Sequence, residues 1–353
     1  MCNNLKTFSI QSNSVFDDEV ILFINRSIYG VLFYQGFKDK SVAIKLYDGN
    51  RLIGLIVYRF VFIKYSIKIA VLDMCAISEG ANENEDIEIR TLIYDRLIKE
   101  VKEKNIAYIY FSRWSREYDN KLIPKCFILK KHATFLLNIN KNENELFDKF
   151  NSKLRNTIRK GLSSNLKIIC YGREIQDNVL NDFADLMLMT QMKAVKKNKK
   201  TSMLTKSSSY LKSILFNEAS FIIVAYRENT IIAGALIIYS GSTMYYYLGA
   251  SNLELNRKYA AADLLQWEII KYGTEKGIKF YDLGGVPINP GKDHPAYGVY
   301  KFKEKFEGEY REYYGGYYSK NIGYYLMFKL VFNNLYLKRY LHKILLKLKV
   351  IEI

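Results

Sequence analysis

Cysteine, proline, histidine and tryptophan are scarce in this chain of 353 residues, which holds 4 Cys, 4 Pro, 3 His and 2 Trp. The cysteines are Cys2, Cys75, Cys126 and Cys170. Because none of them has CxxC spacing, neither a zinc site nor a disulfide framework is predicted, and a reducing, cytoplasmic compartment fits best. The histidines form no metal-ligand cluster in the sequence, so we expect neither a metal site nor a catalytic histidine dyad.

Long apolar runs and leader-like segments are also missing. No stretch approaches the ~20 apolar residues of a membrane-spanning helix. The first twenty residues lack a basic leader and an apolar core, so no signal peptide is expected. The sequence contains no Ser-His-Asp order, P-loop or Rossmann fingerprint.

What the chain does have is positive charge, with a formal net value of +17 at pH 7, and 49% hydrophobic residues. The hydrophobic content and the length predict two well-packed domains. The charge favours anionic partners such as RNA, anionic lipid headgroups or phosphorylated substrates. An AT-rich genome that favours Lys, Asn, Ile and Tyr explains the charge equally well, so charge alone does not choose a partner.

The sequence indicates two degenerate copies of one unit, offset by about 175 residues. Residues 47–58, a predicted hairpin with Gly49 in its turn, are similar to residues 226–239. Residues 92–110, a helix followed by a strand, parallel residues 264–282 without a gap. We therefore predict an α/β fold with mixed sheets, divided into an N-terminal domain (1–140), a C-terminal domain (141–320) and a basic C-terminal helix (321–353).

Hydrophobic periodicity predicts the individual elements. In the first copy we expect strands at 42–47, 51–60, 67–72 and 106–111 and a helix at 87–104. The second domain begins with one basic amphipathic helix over 143–161, ended by Gly161. A helix at 178–192 and an exposed lysine-rich loop at 193–200 follow, then strands at 221–226, 231–239 and 244–249. The basic helix faces either solvent or RNA phosphates.

The stretch 262–318 organises the second copy. A helix stops at Gly277, a short strand ends in Asp282, and Gly284 with Gly285 forms a predicted turn. Three motifs in this stretch are 264–268 (LLQWE), 281–285 (YDLGG) and 298–303 (GVYKFK) with 306–308 (FEG). In this order and spacing they resemble the FemABX family of peptidoglycan aminoacyltransferases. The resemblance implies a doubled acetyltransferase-like (GNAT-type) fold.

The catalytic candidates come from this stretch. The resemblance matches a Phe-Lys pair of the family to Phe302 and Lys303, which implies that Lys303 stabilises the oxyanion of the reacting ester while Phe302 helps to exclude water. A solvated surface lysine is the alternative. Asp282 either accepts the amine proton and orients the acceptor or caps the turn that follows it. Lys301 joins the substrate-binding candidates because it follows a strand end, where open α/β sheets place ligands.

Four other side chains are predicted to bind substrate. In the family an Arg and a Tyr four residues later bind the phosphate-bearing acceptor, and Lys206 and Tyr210 match them, although lysine lacks the bidentate fork of arginine. Tyr247 is a candidate for orienting substrate, with core packing as the alternative. Arg257 opens RKYAAA, which stands where GNAT enzymes carry a glycine-rich turn that holds the coenzyme A pyrophosphate. Alanines at the glycine positions crowd that approach and favour aminoacyl-tRNA as the donor.

The resemblance implies an aminoacyltransferase that moves an amino acid from aminoacyl-tRNA to an amine of a peptidoglycan precursor, without a further cofactor. An N-acyltransferase that uses acetyl-CoA or another acyl-CoA on an amino sugar is one alternative, and a non-catalytic tRNA- or cell-wall-binding protein is another. The segment from Lys320 onward holds seven Lys or Arg against one Glu among apolar residues. We expect it to form either a peripheral contact with the anionic inner face of the membrane or a helix docked on its own domain.

Overall fold

The computed structural model describes residues 8–13, 19, 41–63, 67–78, 81–111, 120–197, 208–215, 219–321, 323 and 326. The chain divides into two compact units. The first ends at Lys131 and resumes at Tyr313, and the second is His132–Glu312. The divisions expected from the sequence, at 140 and 320, lie on the C-terminal side of these two boundaries.

The first unit carries five strands in chain order and one long helix. They are β1 (Phe8–Asn13), β2 (Ser41–Asp48), β3 (Arg51–Ile63), β4 (Ile67–Ile77), α1 (Glu83–Glu103) and β5 (Ile106–Phe111). Strands β1 to β4 pair antiparallel, and β4 pairs parallel with β5. The helix α1 leads from β4 to β5 and buries an apolar stripe against the sheet, formed by Ile89, Ile93, Tyr94, Leu97 and Val101.

The second unit contains a similar sheet with additional helices. Its strands are β6 (Ile128–Asn138), β7 (Lys167–Tyr171), β8 (Ser220–Arg227), β9 (Thr230–Ser240), β10 (Thr243–Ser251) and β11 (Phe280–Val286), and β12 (Glu309–Tyr318) leads back to the first unit. Its helices are α2 (Glu143–Lys149), α3 (Ser152–Ser163), α4 (Asp177–Lys197), α5 (Ser208–Leu215), α6 (Leu253–Tyr259), α7 (Ala261–Glu275) and α8 (Tyr297–Glu304).

The two units repeat one pattern of strand pairing. In the second unit β7, β8, β9 and β10 pair antiparallel and β10 pairs parallel with β11, as β4 does with β5 in the first. In each unit a long helix, α1 or α7, precedes the parallel partner, because a parallel pair needs a crossover connection. The prediction of two copies of a mixed α/β unit is therefore confirmed.

The helix predicted at 143–161 is wrong in both its continuity and its end. Two helices occupy this stretch, and the chain is extended at Phe150, the residue that closes α2. Asn151 begins α3 because its Oδ1 accepts the Leu154 N–H at 2.9 Å, while Glu307 Oε1 accepts its backbone N–H at 3.1 Å. An amphipathic period runs through both helices, so the apolar pattern alone does not show the break.

Gly161 lies inside α3, where it permits close packing on α7. A Cβ at this position would lie 2.8 Å from Leu264 Cβ and 3.3 Å from the Ala260 carbonyl oxygen. The glycine is therefore required by the neighbouring helix and does not terminate its own.

We expect Gly161→Ala to lower the free energy of unfolding by about 1–3 kcal/mol, because overlap with α7 outweighs the gain of about 1 kcal/mol in helix propensity. Chemical denaturation measures the change. Gly298→Ala in α8 is the matched control, since no atom lies within 4 Å of its added Cβ. It should raise stability by about 0.5 kcal/mol. Equal effects of the two substitutions would contradict the packing argument.

The lysine-rich segment differs from its predicted form. Helix α4 continues to Lys197, so the first five residues of the predicted loop at 193–200 are helical, and residues 198–200 lie outside the described residues. Nearly all of the predicted C-terminal helix at 321–353 also lies outside them. In the part of the chain that the structure describes, no helix is both long and apolar enough to cross a bilayer.

Candidate active site

The parallel strands β10 and β11 separate partway along their length. Their pairing ends at Tyr245 and Asp282, yet β10 runs on to Ser251 along β9, and β11 runs on to Val286 along β6. Beyond that last pair the register of β10 with β11 stops, while each strand stays paired with its other neighbour. We call the region between the two strands beyond that pair the wedge.

A β-bulge in β11 lies at the start of the wedge. The pairing of β11 with β6 shifts between Asp282 and Gly285, and Gly284 has φ of +78°. A Cβ on Gly284 would lie 3.0 Å from the Tyr246 carbonyl oxygen and 3.4 Å from Lys303 Nζ. Only glycine fits this conformation and this spacing. The predicted turn at Gly284 and Gly285 is therefore wrong, since both residues lie within a strand.

Asp282 holds the bulge together. It is fully buried, and its Oδ1 accepts the Thr134 hydroxyl at 2.6 Å and the Gly284 N–H at 2.7 Å. Thr134 Oγ1 also lies 3.1 Å from the Gly284 carbonyl oxygen. The carboxylate thus ties β6 to the bulge of β11, and the part of Asp282 in the reaction stays a prediction.

Lys303 reaches the bulge from α8. Its side chain is only 7% exposed, and its Nζ donates to the Gly285 carbonyl at 3.0 Å and lies 5.8 Å from the centre of the Tyr246 ring. The predicted pair Asp282 and Lys303 is therefore brought to one place by two adjacent glycines. A lysine held in a largely water-excluded position can stabilise a negative charge that forms beside it.

The neighbours of Lys303 on α8 have other surroundings. Phe302 is half-buried, with its ring 5.6 Å from that of Phe306 and 4.4 Å from Lys305 Nζ. Lys301 is exposed and forms an ion pair with Glu304, whose carboxylate raises the pKa of Lys301. On α8 these two side chains point in different directions from Lys303. Phe302 packs on Phe306, and Lys301 faces solvent.

Two tyrosines other than the predicted Tyr247 lie close to the start of the wedge. The Tyr246 side chain lies along β10, and its hydroxyl occupies the space that a side chain on Gly249 would need. Burial raises the pKa of Tyr246 to about 12. Tyr281 is buried and donates to Gln266 Oε1 at 2.7 Å. Tyr247 lies at the irregularity in the pairing of β10 with β9 and is half-exposed.

In the segment 257–262 (RKYAAA), which stands where GNAT enzymes carry the coenzyme A turn, the Ala262 amide is hydrogen-bonded within the protein. Ala260 adopts the left-handed conformation with φ of 54°, and the Ala262 N–H donates to Asn256 Oδ1 at 2.7 Å. The Arg257 side chain is exposed, and its carbonyl accepts from Lys160 Nζ at 3.1 Å. The Ala262 amide in the first turn of α7 is thus bonded within the protein.

Two of the predicted substrate-binding residues have no described side chain. Lys206 lies outside the described residues, and Tyr210 lies on α5 with a side chain that is not described. His294 is exposed and its Nδ1 accepts the Ala296 N–H at 3.1 Å. Among the described residues, no three His, Cys, Asp or Glu side chains come together as metal ligands. Thr134 was not foreseen, because nothing in a strand 148 residues before Asp282 marks it as a partner.

Comparison with known proteins gives sequence matches to part of the chain. A model of the FemAB family matches residues 191–330. A Lipid II:glycine glycyltransferase of Staphylococcus haemolyticus (strain JCSC1435) is 40% identical over 72 residues, which are 20% of this chain and 17% of that protein. Its counterpart in Staphylococcus aureus is 38% identical over 77 residues, or 22% and 18% of the two chains. The aligned segments span less than a fifth of these relatives' length.

The structural matches cover most of the chain. The crystal structure of FemX aligns with a TM-score of 0.69 and 16% identity, covering 90% of this chain and 99% of that one. The structure of L-PGS from Bacillus licheniformis aligns with a TM-score of 0.51 and 14% identity, covering 87% and 91%. At such identities the likeness bears on the fold alone, and it agrees with a mixed α/β fold that extends over both units. Residues 191–330 therefore resemble the FemAB family in sequence, and the fold of FemX extends over most of the chain around them.

Proposed function

We propose that this protein is an aminoacyltransferase that moves an amino acid from aminoacyl-tRNA to an amine of a peptidoglycan precursor. The observation that carries the proposal is the position of Lys303, whose ammonium is held against the bulge at the start of the wedge. The relatives that this chain matches over 72 and 77 residues are named Lipid II:glycine glycyltransferases. Together they support aminoacyl transfer in cell-wall synthesis.

The chemistry converts an ester into an amide. A neutral acceptor amine attacks the ester carbonyl, and the carbonyl oxygen gains negative charge. The carbonyl then re-forms, the bond to the tRNA ribose oxygen breaks, and the proton lost by the amine ends on that ribose oxygen as a hydroxyl. Lys303 is proposed to stabilise the oxyanion from its fixed position. Asp282 is proposed to hold the bulge that carries the Gly285 carbonyl, and so to position the ammonium.

The donor is proposed to be aminoacyl-tRNA rather than an acyl-CoA. The Ala262 amide, which a pyrophosphate would need, is bonded to Asn256, and α3 packs at Gly161 against Ala260 and Leu264. A polyanionic RNA also suits a chain with a net charge of +17. The partners proposed are therefore charged tRNA and a lipid-linked or nucleotide-linked precursor, at the cytoplasmic side of the membrane, with the C-terminal segment 321–353 as a peripheral anchor.

The direct test incubates the purified full chain with a mixed pool of charged tRNAs and a lipid-linked precursor. We expect mass spectrometry to show a stem peptide extended by one amino acid, because ester and amine then meet at Lys303. Deacylated tRNA is the control and should give no extension. Acylation that needs acetyl-CoA and is indifferent to tRNA would contradict the proposal.

A further inference from the structure

The helix that carries Lys303 depends on its neighbours for its position. Helix α8 has eight residues, Tyr297–Glu304, and it begins after Ala296, whose methyl group cannot cap the first turn. A helix of this length is not stable alone in water. The ion pair between Lys301 and Glu304 lies within the helix, so that pair cannot fix α8 to another element. The place of Lys303 therefore follows from the contacts that α8 and the residues after it make with the rest of the second unit.

An ion pair holds the C-terminal end of α8 to α7. Lys305 closes α8, and its Nζ pairs with Oδ1 of Asp263 in the first turn of α7. Asp263 is only 6% exposed. The positive end of the α7 dipole stabilises this carboxylate, and a buried carboxylate that lost its cation would remain as an uncompensated charge. The pair therefore fixes one helix to the other.

Two aromatic rings lie beside the Lys305 ammonium. Its Nζ is 4.4 Å from the centre of the Phe302 ring and 5.5 Å from the centre of the Phe306 ring. The face of an aromatic ring attracts a cation. Phe306 belongs to the core of the second unit, where its ring lies 6.1 Å from that of Phe150. The ammonium is therefore held by a carboxylate and two rings.

The residues that follow Lys305 are also attached to the second unit. The Phe306 N–H donates to the Lys303 carbonyl at 3.3 Å. Glu307 Oε1 accepts from the backbone N–H of Asn151 at 3.1 Å and from its Nδ2 at 2.9 Å. The chain from Lys303 to Glu307 is thus bonded both to the start of α7 and to the start of α3.

These contacts decide how far the Lys303 side chain reaches. Its Nζ lies 3.0 Å from the Gly285 carbonyl oxygen, and a shift of α8 by about 1 Å would take the two atoms beyond hydrogen-bond distance. We infer that Asp263 is a positioning residue, which acts through Lys305 to hold α8 where the Lys303 ammonium meets the bulge. The inference rests on the proposed function for its purpose, because a fixed ammonium serves to stabilise an oxyanion.

The reactivity of the Lys303 amine reports its position without any substrate. The side chain is only 7% exposed, so in the full chain Lys303 should react slowly with trace acetic anhydride, as read by mass spectrometry of its peptides. Asp263→Asn should raise the rate at Lys303 by about fivefold or more, because α8 then opens locally more often. The exposed Lys276 is the internal reference in each sample. An unchanged rate at Lys303 would overturn the inference.

Substitution of the cation separates positioning from electrostatics. Asp263→Asn removes a negative charge and Lys305→Met removes a positive one, so a direct effect of charge on the Lys303 amine would change its rate in opposite directions. Loss of positioning raises the rate in both variants. Because the two side chains form one contact, the double variant should stay within about twofold of the faster single variant. Opposite effects, or effects that multiply, would show that Asp263 does not act through Lys305.

Two further variants are controls for the labelling. Asp263→Glu keeps the carboxylate and should restore the slow rate at Lys303. Glu268→Gln breaks the ion pair of 2.9 Å between Glu268 and Lys271, which lies within α7, and should leave the rate within about twofold of the original. A rise in Glu268→Gln as large as that in Asp263→Asn would indicate general loosening of α7 and would overturn the inference. If Asp263→Asn does not fold, Lys305→Met, which changes a partly exposed side chain, supplies the same comparison.

Kinetics connects the positioning to the reaction, and the two proposals can fail separately. Asp263→Asn should lower turnover by about tenfold with KM within about threefold, and Asp263→Glu should recover most of the turnover. Labelling requires no donor or acceptor, so a chain whose Lys303 becomes reactive as expected but which transfers nothing supports the positioning and refutes the proposed function. A chain that transfers an amino acid equally well with and without Asp263→Asn refutes the positioning role alone.

Discussion

Lys303→Met should lower the turnover of aminoacyl transfer by about 10²–10³-fold while KM for donor and acceptor changes less than about threefold. Methionine keeps the length and apolar stem of the side chain but removes the ammonium that lies 3.0 Å from the Gly285 carbonyl oxygen. The charge is needed most when the ester oxygen becomes negative, so the loss falls on turnover. Steady-state kinetics with charged tRNA and a lipid-linked precursor measures both constants.

Lys276→Met is the matched control for this substitution. Lys276 is an exposed lysine that closes α7, at the end of that helix away from the wedge. It should leave both constants within about twofold of the original. Thermal unfolding should show that neither variant is misfolded. Unchanged turnover in Lys303→Met, or a rise in KM alone, would remove the ammonium from the chemical step.

Local patterns in the sequence predict much of the fold, and the reasons are physical. Alternating apolar residues around Gly49 specify a hairpin whether or not the rest of the chain is present, and the structure has β2 and β3 there. The helix-strand unit at 264–282 matches 92–110 because both copies must cover a parallel pair with a crossover helix. Patterns of this kind depend on neighbours in the sequence, so one sequence is enough to read them.

Features that depend on distant contacts could not be predicted. The short strand β7 has exposed and half-exposed residues with no strong alternation, and it exists because β8 offers it an edge. Gly284 and Gly285 carry the usual signal of a turn, yet pairing with β6 keeps them in a strand. In the same way Gly161 resembles a helix stop but provides space for Leu264. A glycine in the sequence indicates a position with an unusual backbone or close packing, and only the fold shows which of the two applies.

The same distinction applies to the candidate site. The motifs around Lys303 and Asp282 single out both residues, and the structure brings both to the bulge. The sequence does not show that the Tyr246 ring lies 5.8 Å from the ammonium, because an irregularity in β10 changes the alternation at that point. Thr134 comes from another strand and has no signal of its own, although it holds Asp282.

Asp282→Ala should lower the free energy of unfolding by about 3 kcal/mol, the largest loss of stability that we expect from one substitution in the site. The carboxylate is fully buried and accepts two hydrogen bonds, from the Thr134 hydroxyl and the Gly284 N–H. Its removal leaves both donors without this acceptor, and each bond to a charged group contributes about 1.5–3 kcal/mol. Turnover should fall by about tenfold or more. Without the carboxylate the bulge can change conformation, so the Gly285 carbonyl no longer fixes Lys303.

A double-mutant cycle with Thr134→Val separates this contact from the other effects of losing Asp282. Because both side chains meet in one hydrogen bond of 2.6 Å, the two substitutions together should cost less than their sum, by about 1–2 kcal/mol. Thr134→Ser, which keeps the hydroxyl, should retain most of the stability and turnover. Additive losses would show that Asp282 acts independently of β6. Loss of turnover at full stability in Asp282→Ala would give the carboxylate a part in proton transfer, since positioning of the bulge and stability depend on the same two bonds.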